Sequence, residues 1–284
     1  MTQPISRSVK VFIVIAGVLI SVTTIIPTVY VLYLGLSDGT WNTLSLKHYI
    51  RILRDPLFGI SSLNTLTFSL TYAVFQVILA FVVGKAVLKS STFVRALFLV
   101  VLMGPWVISE MASVIMWRWI FFAEVGPLDQ LSSWLGLGRP SIMIHTNGAR
   151  LALMISALWR GFAFSTTFAI GVLASIPHIL YHAASVEDLG RWRTIRAVEL
   201  PVIRPAALTM GIVLSIQTIS QFTLSARLTN GGPAHATTLI SNYIYERLIT
   251  DSHPGPSAAA GSMVFITVAF LLLLSTIIRR SIRQ

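Results

Sequence analysis

Glu110, Arg118 and Arg160 stand in or beside long apolar runs. An ionised group costs several kcal/mol inside a bilayer, so each is read first as functional or paired. Arg118 and Arg160 also fit snorkelling, with the stem in the apolar layer and the guanidinium at its edge. Glu110 follows Pro105-Trp106-Val107-Ile108-Ser109 and lies deeper in its run, where it suits a polar pathway or a structural ion pair. Asn64, Gln217, Thr218, Ser220 and Gln221 are uncharged polar residues in apolar surroundings. Gln217 and Gln221, four apart, are expected to share one helix face. Such a face offers donors and acceptors to a hydroxyl-rich solute, and equally to a neighbouring helix.

Other chemistries are excluded by what the chain lacks. With no cysteine, disulfides, thiolate zinc sites and thiol catalysis are impossible. The six histidines show no metal-ligand spacing; His178 and His182 are four apart but without acidic support. Gly84-Lys85 is no phosphate loop, because Leu79 holds the place of its first glycine. No Gly-x-Ser-x-Gly or His-Glu-x-x-His set occurs, which disfavours a membrane enzyme. No cofactor or metal is expected.

The elements that position these groups are membrane spans. Of 284 residues, 55% are hydrophobic and 11% charged, and the mean hydropathy is +0.78. Soluble domains carry about 25% charged residues, so lipid must cover much of this surface. A span needs roughly 20 apolar residues at about 1.5 Å each. Six segments meet this: 11–34, 63–83, 96–121 (with Pro105 inside), 151–173, 206–224 and 258–278. The first follows Arg7 and Lys10 but is too long for a signal core and is read as an uncleaved helix. The reading is an all-α, polytopic membrane protein forming one domain over 1–284, without repeat or linker. The outer loops at about 35–62, 122–150 and 225–257 are long enough for short surface helices, and 128–137 and 238–248 are amphipathic.

The net charge of +11 would point to nucleic acid in a soluble protein, but these basic residues flank apolar runs. With the N-terminus inside, the inner side holds twelve: Arg7, Lys10, Lys85, Lys89, Arg95, Arg191, Arg193, Arg196, Arg204, Arg279, Arg280 and Arg283. The outer side holds seven: Lys47, Arg51, Arg54, Arg139, Arg150, Arg227 and Arg247. These are matched by Asp38, Asp55, Glu124, Asp129, Glu246 and Asp251, leaving the outer face nearly neutral. Both termini are therefore expected in the cytoplasm.

The inner connection at about 177–205 is long, basic and rich in alanine. Pro177 suits a first helical turn, and Pro201 and Pro205 are expected to disrupt or redirect helix, giving two short helices joined by a turn. Ala183 and Ala184 allow close approach of a partner, and Val186, Leu189 and Trp192 recur every third residue and are expected to bury one face.

This connection resembles the coupling loop of ABC importer permeases. The family pattern is Glu-Ala-Ala, three residues, Gly, then nine or ten residues and Ile-x-Leu-Pro. His182-Ala183-Ala184 takes the first triplet, Glu187 the position usually held by Asp, and Asp188 that of Gly, with Gly190 two residues later. Arg191-Trp192 matches a basic–aromatic pair, and Val198-Glu199-Leu200-Pro201 the ending. His182 and Asp188 depart from the pattern. The chain is similar, over about residues 10 to 284, to the maltose-type sugar permeases, first member of a heterodimeric pair. The matches run in order: Asn64-Thr65-Leu66; Met116-Trp117-Arg118-Trp119-Ile120-Phe121; Gly126 to Leu131; Trp159-Arg160-Gly161; Ile176-Pro177. Then come Leu228-Thr229-Asn230-Gly231-Gly232-Pro233, Thr237-Thr238, Tyr243-Ile244-Tyr245, and Pro254 to Gly261.

The resemblance implies a type I importer-permease fold and a sugar, polyol or glycerophosphate solute. It implies a second permease subunit, two ATPase subunits that bind the ATP, and an extracytoplasmic solute-binding protein. His182, Ala183, Ala184, Glu187, Asp188, Leu189, Gly190 and Trp192 would form the ATPase contact. Asn64, Glu110, Gln217, Ser220 and Gln221 are the path candidates, and Asn230, Gly231, Gly232 and Pro233 a turn near the outer mouth. The rival class is an ion-gradient-driven transporter, which ordinarily shows repeats and several intramembrane acids.

Overall fold

The computed structural model describes residues 6–37 and 43–283; Asp38, counted among the outer acids, lies outside them. The helices are α1 (Arg7–Ile20), α2 (Ile26–Leu36), α3 (Lys47–Leu53), α4 (Pro56–Lys89), α5 (Thr92–Val107), α6 (Glu110–Ile120) and α7 (Pro127–Trp134). There follow α8 (Thr146–Ala174), α9 (His178–Val186), α10 (Arg191–Thr194), α11 (Leu200–Ile219), α12 (Phe222–Leu224), α13 (Ile240–Tyr245) and α14 (Pro254–Arg283). Among the described residues the one β pairing is an isolated bridge between Ser37 and Leu44. Five helical stretches are long and apolar enough to cross a membrane, and the bent pair α5–α6 makes a sixth.

Two compact units are formed, residues 1–58 with 244–267 and residues 59–243 with 268–284. In the first, α1 and α2 are joined through a wide turn at Ser21–Ile25, and nearly all their apolar side chains face outward. Gly35 is the exception. A Cβ there would lie 3.1 Å from the Ala259 backbone and 3.0 Å from the Tyr49 hydroxyl, so glycine permits this close approach to α14. Outer charges pair in this unit: Arg247 meets Asp55 at 2.6 Å and Asp251 at 2.5 Å.

The second unit is built on α4, α8 and α11. Ala80, Ala152, Ala157, Ala163 and Ala169 are wholly buried, as suits apolar helices that associate by close backbone approach rather than by expelling water. Phe68, Tyr72, Leu153, Leu214 and Leu228 fill the rest. Gln76 donates to Ser165 Oγ at 2.5 Å, a polar bond between α4 and α8 within the apolar layer.

The structure corrects three expectations. The third segment is not one straight span: α5 and α6 meet at 97°. Pro105 removes a helical donor, Ile108 is extended, and Ser109 caps a new helix by accepting from the Ala112 N–H at 3.3 Å. The fifth segment ends at Ile219 rather than at 224, and the chain breaks at Ser220–Gln221 before α12. Gln217 and Gln221 therefore do not share a continuous helix face. Pro201 and Pro205, by contrast, do not redirect the chain. α10 runs through a wide turn at Ile195–Glu199 straight into α11, with Pro201 just past the wide turn and Pro205 inside the helix.

Candidate functional site

The inner connection is α9, a turn, and α10. The turn closes on two bonds, Asp188 N to Ser185 O at 3.2 Å and Leu189 N to Ala184 O at 3.0 Å. These are the paired bonds of a Schellman helix end, which places residue 188 in the left-handed region. Asp188 has φ +50°. The family's glycine position is thus the left-handed one, and aspartate, among the few residues that tolerate it, keeps the turn. Gly190 has φ −59° and open space around it, so it does not stand in for that glycine.

The expected buried stripe is absent within the chain. Val186 is 86% and Trp192 76% exposed, and Leu189 is half-buried. Ala184 is buried against the chain itself, while His182, Ala183 and Glu187 face outward. The stripe projects away from the chain's own packing.

A second locus is the pair of breaks. α6, α12 and the wide turn Ser225–Thr229 pack together and against α8. From α8, Arg160 reaches the α5–α6 break: its Nη1 donates to Ile108 O at 3.3 Å and to Ser113 Oγ at 3.4 Å, with Nη2 4.0 Å from Glu110 Oε2. Two residues read separately in the sequence meet here, and the guanidinium supplies a donor to a carbonyl freed by the break. Neither is sealed off, with side-chain exposures of 26% and 37%. Gln217 and Ser220 are exposed, and Gln221 Oε1 is buried without a hydrogen-bond partner. Irregular backbone at membrane depth is tolerated where it is buried in protein or lines a polar cavity.

The third locus is the outer loop after α12. Asn230 (φ +52°) and Gly231 (φ +71°) reverse the chain, followed by a cis Gly232–Pro233 bond. A Cβ on Gly231 would stand 2.5 Å from Thr238 Oγ1, so glycine is required. Thr237 Oγ1 donates to Gly232 O at 2.9 Å, and Thr238 Oγ1 to Gly231 O at 3.2 Å. Three helices hold the loop. From α4, Asn64 Nδ2 donates to His235 O at 2.9 Å and Thr238 O at 3.2 Å, and Thr65 Oγ1 accepts from Ile240 N at 2.8 Å. Arg150 of α8 donates to Ala236 O at 3.1 Å, and Arg118 of α6 to Arg227 O at 3.3 Å. Asn64, expected on the path, is thus a loop clamp, and Arg118 finds a carbonyl rather than simply snorkelling.

The loop before α8 is tied by Asp129, which accepts from Glu124 N at 2.8 Å, Ser141 N at 3.0 Å and Ser141 Oγ at 3.0 Å. Burial by its own short loop pushes the Asp129 carboxyl up. The Glu124 and Ser141 bonds and nearby Arg139 outweigh that and leave it below the usual carboxylate range.

Sequence reasoning missed one cluster. Lys85 Nζ contacts both Glu199 oxygens, at 2.7 and 2.6 Å. Burial raises the Tyr181 hydroxyl pKa, and the charge of Glu199 and a hydrogen bond to it raise it further. The signal was present: Glu199 lies between Val198 and Leu200 and is the one acid from Arg191 to Arg204.

A chain of long apolar helices, with one span sharply bent between Val107 and Glu110 and an exposed helical turn, is a polytopic membrane protein. Residues 76–284 match the family described as "Binding-protein-dependent transport system inner membrane component", and the chain belongs to that family. It is a membrane-spanning permease subunit of an ABC importer. It is 23% identical over 273 residues to the sulfoquinovosyl glycerol transport system permease protein SmoG of Agrobacterium fabrum, covering 92% of this chain and 88% of that one. It is 27% identical over 200 residues to the trehalose/maltose transport system permease protein MalF of Thermococcus litoralis, covering 69% and 66%. The fold matches a chain of the crystal structure of a bacterial alginate ABC transporter in complex with an alginate pentasaccharide-bound periplasmic protein. The TM-score is 0.84 at 18% identity, covering 96% of this chain and 94% of that one.

Proposed function

We propose that this permease imports a sugar or sugar derivative, paired with a second, different permease subunit. Two ATPase subunits bind and hydrolyse the ATP, and an extracytoplasmic binding protein delivers the solute. The relatives named for sulfoquinovosyl glycerol and for trehalose and maltose support the solute class. Both termini lie in the cytoplasm, in keeping with the twelve basic residues assigned to that side. The chain acts as one membrane domain and does not itself hydrolyse ATP.

The carrying observation is the outward stripe of Val186 and Trp192 on a turn locked by paired backbone bonds. Large apolar side chains on a rigid, water-side turn support a docking role, since exposed apolar clusters mark interaction surfaces. His182 supplies that surface with an imidazole where the family pattern has a carboxylate, so its contact is a hydrogen bond rather than a fixed anion. Solute would pass the breaks, where Glu110, Arg160, Gln217, Ser220 and Gln221 supply the polar groups. The reconstituted transporter is the test: replacing residues 182–192 by a Gly-Ser segment abolishes ATP-driven uptake. Uptake that survives this replacement, or that follows a proton or sodium gradient without ATP, refutes the reading.

A further inference from the structure

The base of the projecting turn is closed by a buried carboxylate. Glu199 is 7% exposed at its side chain, and Lys85, 114 residues away on α4, is 24% exposed. Both carboxylate oxygens take the ammonium. Tyr181 lies on α9, before the turn, and Glu199 lies after it, where the wide turn Ile195–Glu199 joins α10 to α11. α9 also packs on that wide turn. Arg191, Arg193 and Arg196, nearer in sequence, all face outward. The ammonium that meets the carboxylate thus comes from the second span, not from the loop.

An apolar cluster would hold these helices together at least as well, because burying an ion pair costs desolvation that its attraction barely offsets. A buried pair adds direction: it fixes one register between the elements that carry it. We infer that Glu199, gripped by Lys85, is a positioning residue that makes the α9–α10 turn and α4 move as one body. This rests on the proposed docking role of residues 182–192. A push on the exposed turn then shifts the second span directly. Without the clamp, the rigid turn shifts against α4 as a unit and the push is lost.

The absence of cysteine makes the test direct. Spin labels are placed at Lys89→Cys on α4 and Arg193→Cys on α10, both exposed positions, and the distance distribution is measured in nanodiscs. In the isolated chain with Glu199 intact, one narrow distance is expected. Glu199→Gln or Lys85→Met broadens it, and the exchange Lys85→Glu with Glu199→Lys narrows it again. If the charge variants fail to fold, Glu199→Asp, which keeps the charge but shortens its reach to Lys85, carries the test with a smaller broadening. In the assembled transporter the Glu199-intact distance stays the same with and without ATP and vanadate, and Glu199→Gln retains ATP hydrolysis while losing ATP-driven uptake. A merely structural role would lower both activities together and leave the distance narrow in folded protein. A narrow distance in Glu199→Gln, or one that changes with nucleotide when Glu199 is intact, overturns the inference. The isolated-chain measurement needs no ATPase, so failure of the clamp is read separately from failure of the docking role.

Discussion

The outer loop at 225–240 and the inner turn at 182–192 are both short, irregular and flanked by apolar helices, yet they are held in opposite ways. The outer loop turns its polar groups inward, and α4, α6 and α8 supply donors to its carbonyls through Asn64, Arg118 and Arg150. The inner turn satisfies its backbone locally and sends its large apolar side chains outward. One is closed within the chain; the other is the surface proposed to dock. A loop that must keep its shape alone recruits side-chain bonds from its scaffold, whereas a loop that docks keeps those groups free for a partner.

Variants can break this comparison in graded steps. The largest loss of stability is expected at Asp129→Asn, which removes charge from three hydrogen bonds. Bonds to a charged acceptor contribute roughly 1.5–3 kcal/mol each, and part is retained by the amide, so about 2 kcal/mol is expected from chemical denaturation in detergent. The pH dependence has a fixed sign. The Asp129 pKa is lowered in the folded chain, so its contribution is present above the ordinary carboxylate pKa and lost as pH falls through the depressed value. Hydrogen exchange of residues 124–141 should quicken in acid before the helices do, and equal protection at all pH values would contradict the assignment.

Gly231→Ala is next. A Cβ must occupy the left-handed region and displace Thr238 Oγ1, for a cost of about 1–2 kcal/mol, read as a lower melting temperature. The effect should be confined to the outer loop, leaving ATP hydrolysis by the assembled transporter unchanged. The smallest effect is at the inner turn. Asp188→Gly relieves a left-handed residue but adds unfolded-state entropy, so a gain of about 0.5 kcal/mol or less is expected. A loss above about 1 kcal/mol would show that the Asp188 carboxylate does more than occupy the turn.

Much of this was legible in the sequence. Apolar run lengths marked the spans, and loop composition marked the two amphipathic outer segments, seen as α7 and α13. The breaks were not read, although Ser109-Glu110 after Pro105 is a helix start: a capping hydroxyl with an acid in the first turn. Hydropathy averages across such a break because both halves are apolar. Pro201 and Pro205 were overread, since one helical run from Arg191 to Ile219 carries both without a break. Asn64 was expected on the path, whereas the fold shows it donating to His235 O and Thr238 O. Polar groups in an apolar span look like solute contacts until the fold shows which carbonyl or ammonium they already hold.

The measurement that bears most directly on the central claim is ATP-driven uptake by the reconstituted transporter carrying Val186→Asp. Val186 projects from the turn and packs on nothing in its own chain, so the variant should fold and melt like the parent. A carboxylate in a desolvated docking surface costs several kcal/mol, so uptake should fall by more than about tenfold as the ATPase subunits lose their grip. Uptake equal to the parent, with the ATPase still bound, would contradict the assignment of this turn as the coupling surface.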